Sequence, residues 1–92
     1  MQREVRETLN RLGMSCLRVD LDLALQLLDR VKGSITITRT GANGTGAWGI
    51  NVMNKKDGQW VHVGRSDADT LFDAIITLII NIKDESFLVK GP

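Results

Sequence analysis

The chain has 92 residues, of which 42% are apolar and 25% charged, and its formal net charge is +1. This size and composition indicate one globular domain over residues 1–92 and argue against an intrinsically disordered chain. A nearly neutral chain has no overall attraction to nucleic acid or to a membrane surface, so electrostatic contacts must come from local clusters.

Two helices are predicted in the first part of the chain. Apolar residues recur at helical spacing over residues 2–12, which predicts the first helix. Residues 14–19 alternate between the two possible faces of an extended segment and fit either a connector or a short edge strand. A stripe of leucines then predicts a second helix from Asp20 or Leu21 to Lys32, with acidic residues near its N-terminus as the helix dipole favours.

Three runs with the pattern of β-strands follow. They predict strands over Ser34–Arg39, Ala47–Asn54 and Gln59–Arg65. The first two are joined by a Gly/Asn-rich loop, and the last two by a Lys-Lys-Asp-Gly turn. The residues predicted to face the helices are Ile35, Ile37, Trp48, Ile50, Val52, Val61 and Val63. The opposite face carries polar residues together with Trp60 and His62.

A last helix is predicted from Asp67 to Lys83, opened by a capping box at Ser66 and Asp69. Its apolar residues cover nearly all sides, which indicates burial on more than one side. Residues 87–89 then fit a short edge strand or a tail that packs on the core. The predicted fold is an α+β two-layer sandwich of order α-α-β-β-β-α. Its antiparallel sheet has three or four strands, with the second and last helices packed on one face.

The sequence contains no recognisable catalytic or metal-binding motif. It has one histidine, His62, and one cysteine, Cys16, which are too few for a typical zinc site, and no trio marks nucleophilic catalysis. The Gly-rich loop leads into a strand, whereas a phosphate-binding P-loop leads into a helix. We therefore predict a non-enzymatic binding protein without a cofactor or small-molecule substrate.

Membrane insertion and secretion are not indicated either. The longest apolar run, residues 71–82, is shorter than the roughly 20 residues that span a bilayer. The first residues alternate in charge and are unlike a signal peptide, so we expect a cytoplasmic protein.

Charged and aromatic residues in strands, turns and loops are the candidate contacts. Arg39 and Arg65 are predicted to lie toward one end of the sheet, and Lys55 and Lys56 in a turn at the other. Such cations can contact phosphates or simply solvate the surface and protect its edges. Trp60 can anchor a partner or stack on a base. The complete set of predicted partner-binding residues is Arg39, Asn43, Lys55, Lys56, Trp60, Arg65, Asp29, Asp57 and Asp69, with the acidic members facing basic protein subunits.

The helix, three-strand and helix order is similar to that of double-stranded RNA-binding domains. That family carries a basic patch at the start of its last helix, where this chain has the acidic run Ser66-Asp-Ala-Asp-Thr70. The runs Gln59-Trp-Val-His-Val and Asp69-Thr-Leu-Phe-Asp-Ala-Ile75 also resemble small phage α/β sandwich proteins.

In size and character over its 92 residues, the chain resembles phage anti-CRISPR proteins directed at the type I-F surveillance complex. This resemblance implies a viral inhibitor in the host cytoplasm that binds the CRISPR-associated proteins and their crRNA, with or without direct RNA contact. It would block target-DNA binding or hybridisation. The alternative is a small nucleic-acid-binding or phage regulatory module that acts independently of CRISPR.

Overall fold

The computed structural model describes residues 2–14, 20–39 and 46–90 and places in them three α-helices and one three-stranded sheet. In chain order the elements are α1 (Gln2–Arg11), α2 (Leu21–Leu28), β1 (Ser34–Arg39), β2 (Trp48–Lys56), β3 (Gln59–Ala68), α3 (Leu71–Asn81) and a 3₁₀ turn (Glu85–Phe87). The sheet is antiparallel in the order β1-β2-β3. The predicted α+β class and element order are confirmed, and the described part of the sheet has three strands. Most of the predicted connector at residues 14–19, and Asn43, lie outside the described residues.

Helix α3 is the centre of the helical layer. It packs on β2 and β3, and α1 and α2 pack against it. Its buried residues are Ala74, Ile75, Ile76, Leu78 and Ile79. This position between the sheet and two helices explains why the helix is apolar on nearly every side. The prediction that α2 lies on the sheet is corrected, because its main contacts are with α3.

Helix α2 is shorter than predicted and ends at Leu28 rather than at Lys32. One tighter turn follows, in which the amides of Arg30 and Val31 donate to the carbonyls of Leu27 and Leu28, and the chain then forms backbone hydrogen bonds to the C-terminal tail. The amide of Lys32 donates to the carbonyl of Phe87 at 2.8 Å, and the amide of Val89 donates to the carbonyl of Arg30 at 2.7 Å. The predicted edge strand at residues 87–89 is therefore an isolated bridge beside the helical layer, outside the sheet.

The last helix begins at Leu71, not at Asp67 as the sequence predicts. Its N-cap is Thr70, whose hydroxyl accepts a hydrogen bond from the amide of Asp73 at 3.1 Å. Both Ser66 and Thr70 are followed three residues later by an aspartate, so the local capping signal occurs twice. Ser66 lies in β3 and is buried, and its hydroxyl donates to a backbone carbonyl of α3.

The β2–β3 hairpin turns through Asp57 and Gly58. Both have positive φ values, 55° and 80°, as a two-residue type I′ turn requires. Lys56 pairs with Gln59 directly beside this turn. The prediction that Lys55 and Lys56 are turn residues is therefore wrong, because both belong to β2 and point to opposite faces of the sheet.

The pairing of β2 with β3 contains one irregularity. Val52 pairs with Gly64, whereas the next residue of β2, Met53, pairs with His62. Val63 is thus an extra residue on β3, which defines a β-bulge. In the part of the chain that the structure describes, no helix is long and apolar enough to cross a membrane.

Candidate functional site

Helix α3 covers one face of the sheet at β2 and β3, and the side chains of the other face are exposed or partly exposed. We call this surface the polar face. Its residues are Thr36, Thr38, Asn51, Met53, Lys55, Trp60, His62, Arg65 and Asp67. Strand pairing places them side by side across three strands, so their relative positions are fixed by backbone hydrogen bonds.

The bulge determines which residues of β3 reach the polar face. In a regular strand, Arg65 would share the helix-facing side with Val61 and Val63. The extra residue inverts the alternation, so Gly64 turns toward α3 and Arg65 turns outward, opposite Asn51. A Cβ atom on Gly64 would lie 2.9 Å from a side-chain carbon of α3's C-cap residue, so a side chain here would have to displace part of α3. The sequence prediction for Val63 and Trp60 is confirmed, but the alternation beyond them is not regular.

Trp60 is the large aromatic residue of the polar face, and 58% of its surface is exposed. It pairs with Lys55 across the hairpin, and the Lys55 Nζ atom lies 5.4 Å from its ring centroid. Trp48 is half-buried on the other face, with the guanidinium of Arg39 at 5.0 Å from its ring. The predicted division between one inward and one outward indole is confirmed. The outward indole and its cation form an exposed stacking and anchoring site.

The remaining polar-face contacts are hydrogen bonds and weak ion pairs. His62 Nε2 lies 3.0 Å from Asn51 Oδ1, so the imidazole is held by an amide and not by a carboxylate. Arg65 and Asp67 form a 3.5 Å pair in which both side chains are more than half exposed, and such pairs add little stability. Within the described ranges, no three His, Cys, Asp or Glu residues are grouped to hold a metal ion. This arrangement is suited to recognition by stacking, hydrogen bonding and charge.

The structure brings only some of the predicted contact residues together. Lys55, Trp60 and Arg65 share the polar face. Arg39 and Arg65 both lie toward the end of the sheet away from the β2–β3 turn, as predicted, but Arg39 is on the opposite face from Arg65. Lys56 also points away and lies 3.8 Å from Asp84.

The predicted acidic contacts are spread over the molecule. Asp29 is the exposed C-cap residue of α2, Asp57 is at the hairpin tip, and Asp69 is exposed between β3 and α3. Asp67 was missed as a surface partner because the sequence assigns it to the last helix. Its place on the polar face follows from the extension of β3 beyond the bulge.

An open groove of about 590 Å³ runs beside the free edge of β3. It is lined by Lys56, Val61, His62, Val63, Gly64, Arg65, Asn81, Lys83, Asp84 and Phe87. The side-chain amide of Asn81 donates to the backbone carbonyl of Arg65 at 2.9 Å. The bulge and this hydrogen bond interrupt the row of free backbone groups on β3, which limits pairing with a further strand.

Comparison of the chain with protein-family models, with curated proteins and with solved structures gave no significant match.

Proposed function

We propose that this protein is a non-enzymatic binding protein whose polar face docks onto a nucleoprotein complex. Following the anti-CRISPR resemblance, the proposed target is the type I-F surveillance complex, and docking would prevent target DNA from binding or hybridising. The partners would then be CRISPR-associated protein subunits and the crRNA that they hold. The resemblance suggests the partner, and the polar face supplies the docking surface.

The exposure of Trp60 is the observation that carries this proposal. Tryptophan is a frequent source of binding energy at protein interfaces, where a partner removes the indole from water. The same ring can stack on an unpaired base, with Lys55 available for a neighbouring phosphate. Because Trp60 lies in a paired strand, little conformational entropy is lost when a partner covers it.

The charges around Trp60 suit a surface that contains both RNA and basic protein. Lys55 and Arg65 offer cations to phosphates, and Asp67 offers a carboxylate to lysine or arginine side chains. Threonine and asparagine side chains between them supply uncharged hydrogen-bond donors and acceptors. Such mixed surfaces contribute mainly to specificity and to the rate of association.

The first test is binding to purified, crRNA-loaded type I-F complex by biolayer interferometry, with a gel-shift assay for target DNA. We expect the wild-type protein to bind and to reduce DNA binding, and Trp60→Ala to weaken binding by about 30-fold or more. Wild-type protein that does not bind would refute the proposed partner. Binding that survives Trp60→Ala unchanged would refute the polar face as the docking surface.

Lys55 and Lys56 provide a matched pair of charge reversals. The two residues are adjacent and exposed, but only Lys55 lies on the polar face. We expect Lys55→Glu to weaken binding by about tenfold or more and Lys56→Glu by less than about threefold. Circular dichroism checks that both variants fold. Equal losses would place the hairpin tip, and not the polar face, in the interface.

The stacking pair of Trp60 and Lys55 also supports the second candidate, a module that binds nucleic acid without CRISPR proteins. Fluorescence anisotropy with labelled single-stranded RNA and DNA at several salt concentrations separates the two. Affinity for free nucleic acid that falls steeply with salt and is lost in Trp60→Ala would favour this module. Binding to the complex without affinity for free strands would favour the inhibitor.

A further inference from the structure

Among the residues that the structure describes, none pairs with the outer edge of strand β1. It forms the outer strand of the sheet and pairs with β2 without a bulge over its whole length, Ser34–Arg39. Within the described residues, no hydrogen bond reaches its outer edge. Alternate residues therefore direct free amide and carbonyl groups away from the sheet.

This edge lacks the features that normally prevent strand pairing. It contains no proline and no lysine, its one charged residue is Arg39 at its C-terminal end, and its Ser-Ile-Thr-Ile-Thr run has high β-propensity. The other edge, β3, has the bulge at Val63 and the side-chain cap from Asn81. The two edges of one sheet thus differ, and only β1 is suited to regular pairing.

The helical layer also leaves room beside β1. Helix α3 covers β2 and β3, and none of the three described helices makes comparable contact with β1. As a result Ile37, which is on the helix-facing side, is 42% exposed. An apolar side chain left open beside an unpaired edge is the combination expected where a further strand is added.

The sequence of β1 is complementary to itself. An antiparallel pairing about a twofold axis at Thr36 places Ile35 opposite Ile37 of a second copy, and Ser34 opposite Thr38. Directly opposed residues point to the same side, so isoleucine meets isoleucine and hydroxyl meets hydroxyl. Arg39 falls beyond the paired residues, and no like charges are opposed. Shifting the pairing by two residues instead sets Ile35 against Arg39.

We propose that β1 pairs with β1 of a second copy to form a six-stranded antiparallel sheet. Both helical layers then lie on one side of this sheet. On that side, Ile35 of each copy packs against Ile37 of the other. Each interaction occurs twice because the interface is isologous. This inference does not depend on the proposed function.

Disulfide crosslinking tests the pairing and its register. Thr36→Cys and Thr38→Cys are prepared in a Cys16→Ser background, so each chain has one thiol. At the twofold axis, Cβ atoms of opposed residues are about 5 Å apart, close to disulfide distance, whereas the two Thr38 positions are separated by about 14 Å. Mild oxidation should therefore crosslink Thr36→Cys and not Thr38→Cys. Equal crosslinking of both variants, or crosslinking of Thr38→Cys alone, would overturn the register.

Sedimentation equilibrium tests the dimer without crosslinking. We expect the mass of the wild-type protein to rise with concentration toward twice 10.2 kDa. Ile37→Lys should raise the dimer dissociation constant by about tenfold or more, because the lost contact counts twice. Ile80→Lys is the control, since Ile80 is 41% exposed on α3, away from the strand edge. A wild-type protein that remains at 10.2 kDa up to millimolar concentration, or a dimer unaffected by Ile37→Lys, would overturn the proposal.

Discussion

Replacing Arg11 tests how the three helices are held together. Its guanidinium extends from α1 to the C-terminal end of α3, where it donates to the backbone carbonyls of Ile79, at 2.6 Å, and Ile82. The Nε atom of Arg11 also donates to a carboxylate oxygen of Glu85 at 2.6 Å. Helix α3 has no basic residue in its own last turn. Arg11 therefore provides from another helix the positive charge and hydrogen bonds that this helix end requires.

These contacts determine how much unfolding free energy the protein should lose when Arg11 is replaced. A hydrogen bond to a charged group contributes about 1.5–3 kcal/mol, and Arg11 makes two to carbonyls that are partly buried. Water can reach the carbonyls again once the side chain is removed, and the Glu85 pair is too exposed to change the total appreciably. We expect Arg11→Ala to reduce the free energy of unfolding by about 2–3 kcal/mol. In a domain of this size that corresponds to a fall in Tm of roughly 10–20 °C.

Urea unfolding followed by circular dichroism measures this loss. Arg11→Lys should recover only part of it, because an ammonium keeps the charge but cannot reach both carbonyls in the planar geometry of a guanidinium. Arg3→Ala is the control, since the Arg3–Glu7 pair is exposed and its removal should change stability by less than about 0.5 kcal/mol. If Arg11→Ala lowers the free energy of unfolding no more than Arg3→Ala does, Arg11 does not stabilise the end of α3.

Two further predictions concern stability. Gly64→Ala should lower the free energy of unfolding by about 1–3 kcal/mol, since the new methyl group would lie 2.9 Å from Cγ1 of the fully buried Ile82; an unchanged urea midpoint would contradict this. The hydrogen bond from Arg11 holds the pKa of Glu85 below its ordinary value of 4.5. The stability that ionised Glu85 contributes is therefore present above pH 4.5 and is lost as the pH falls through the lower pKa of the folded state. Urea midpoints measured from pH 6 to pH 2 should accordingly fall less in Glu85→Gln than in the wild type, and parallel profiles would show that Glu85 is not involved.

The element types and strand faces could be predicted from the sequence because they follow from local periodicity. Strand β1 begins and ends where its alternation begins and ends, at Ser34 and Arg39. The opposite roles of Trp48 and Trp60 follow from the same period of two. These features depend on residues that are neighbours in the chain, so the pattern alone determines them.

The predictions that were wrong concern features that depend on contacts between segments distant in the chain. Helix α2 stops at Leu28 because the chain after it bonds to the C-terminal tail. Ser66 has the sequence of a helix cap but is used in β3, where it is buried against α3. In both cases local propensity permits two structures and tertiary packing selects one of them.

Among the features not predicted from the sequence, the bulge at Val63 has the largest effect on the candidate site. It lets the backbone at Gly64 approach α3, and by the same inversion it turns Arg65 to the polar face. Strand β3 must bring Gly64 close to α3 and also turn Arg65 to the polar face, and one inserted residue achieves both. The alternating pattern of β3 gives no sign of this insertion, so the face of Arg65 could not be read from the sequence.

The two proposed interfaces occupy different parts of the sheet. Ile37 lies on the helix-facing side of β1, whereas Trp60 and Lys55 lie on the polar face of the β2–β3 hairpin. Pairing through β1 would keep both helical layers on one side and leave two polar faces exposed on the other. A partner with repeated subunits could then engage both copies and gain affinity through the high effective concentration of the second site. Because Ile37 lies off the polar face and Trp60 lies outside β1, Ile37→Lys should affect self-association and Trp60→Ala partner binding, so the failure of either proposal can be recognised without the other.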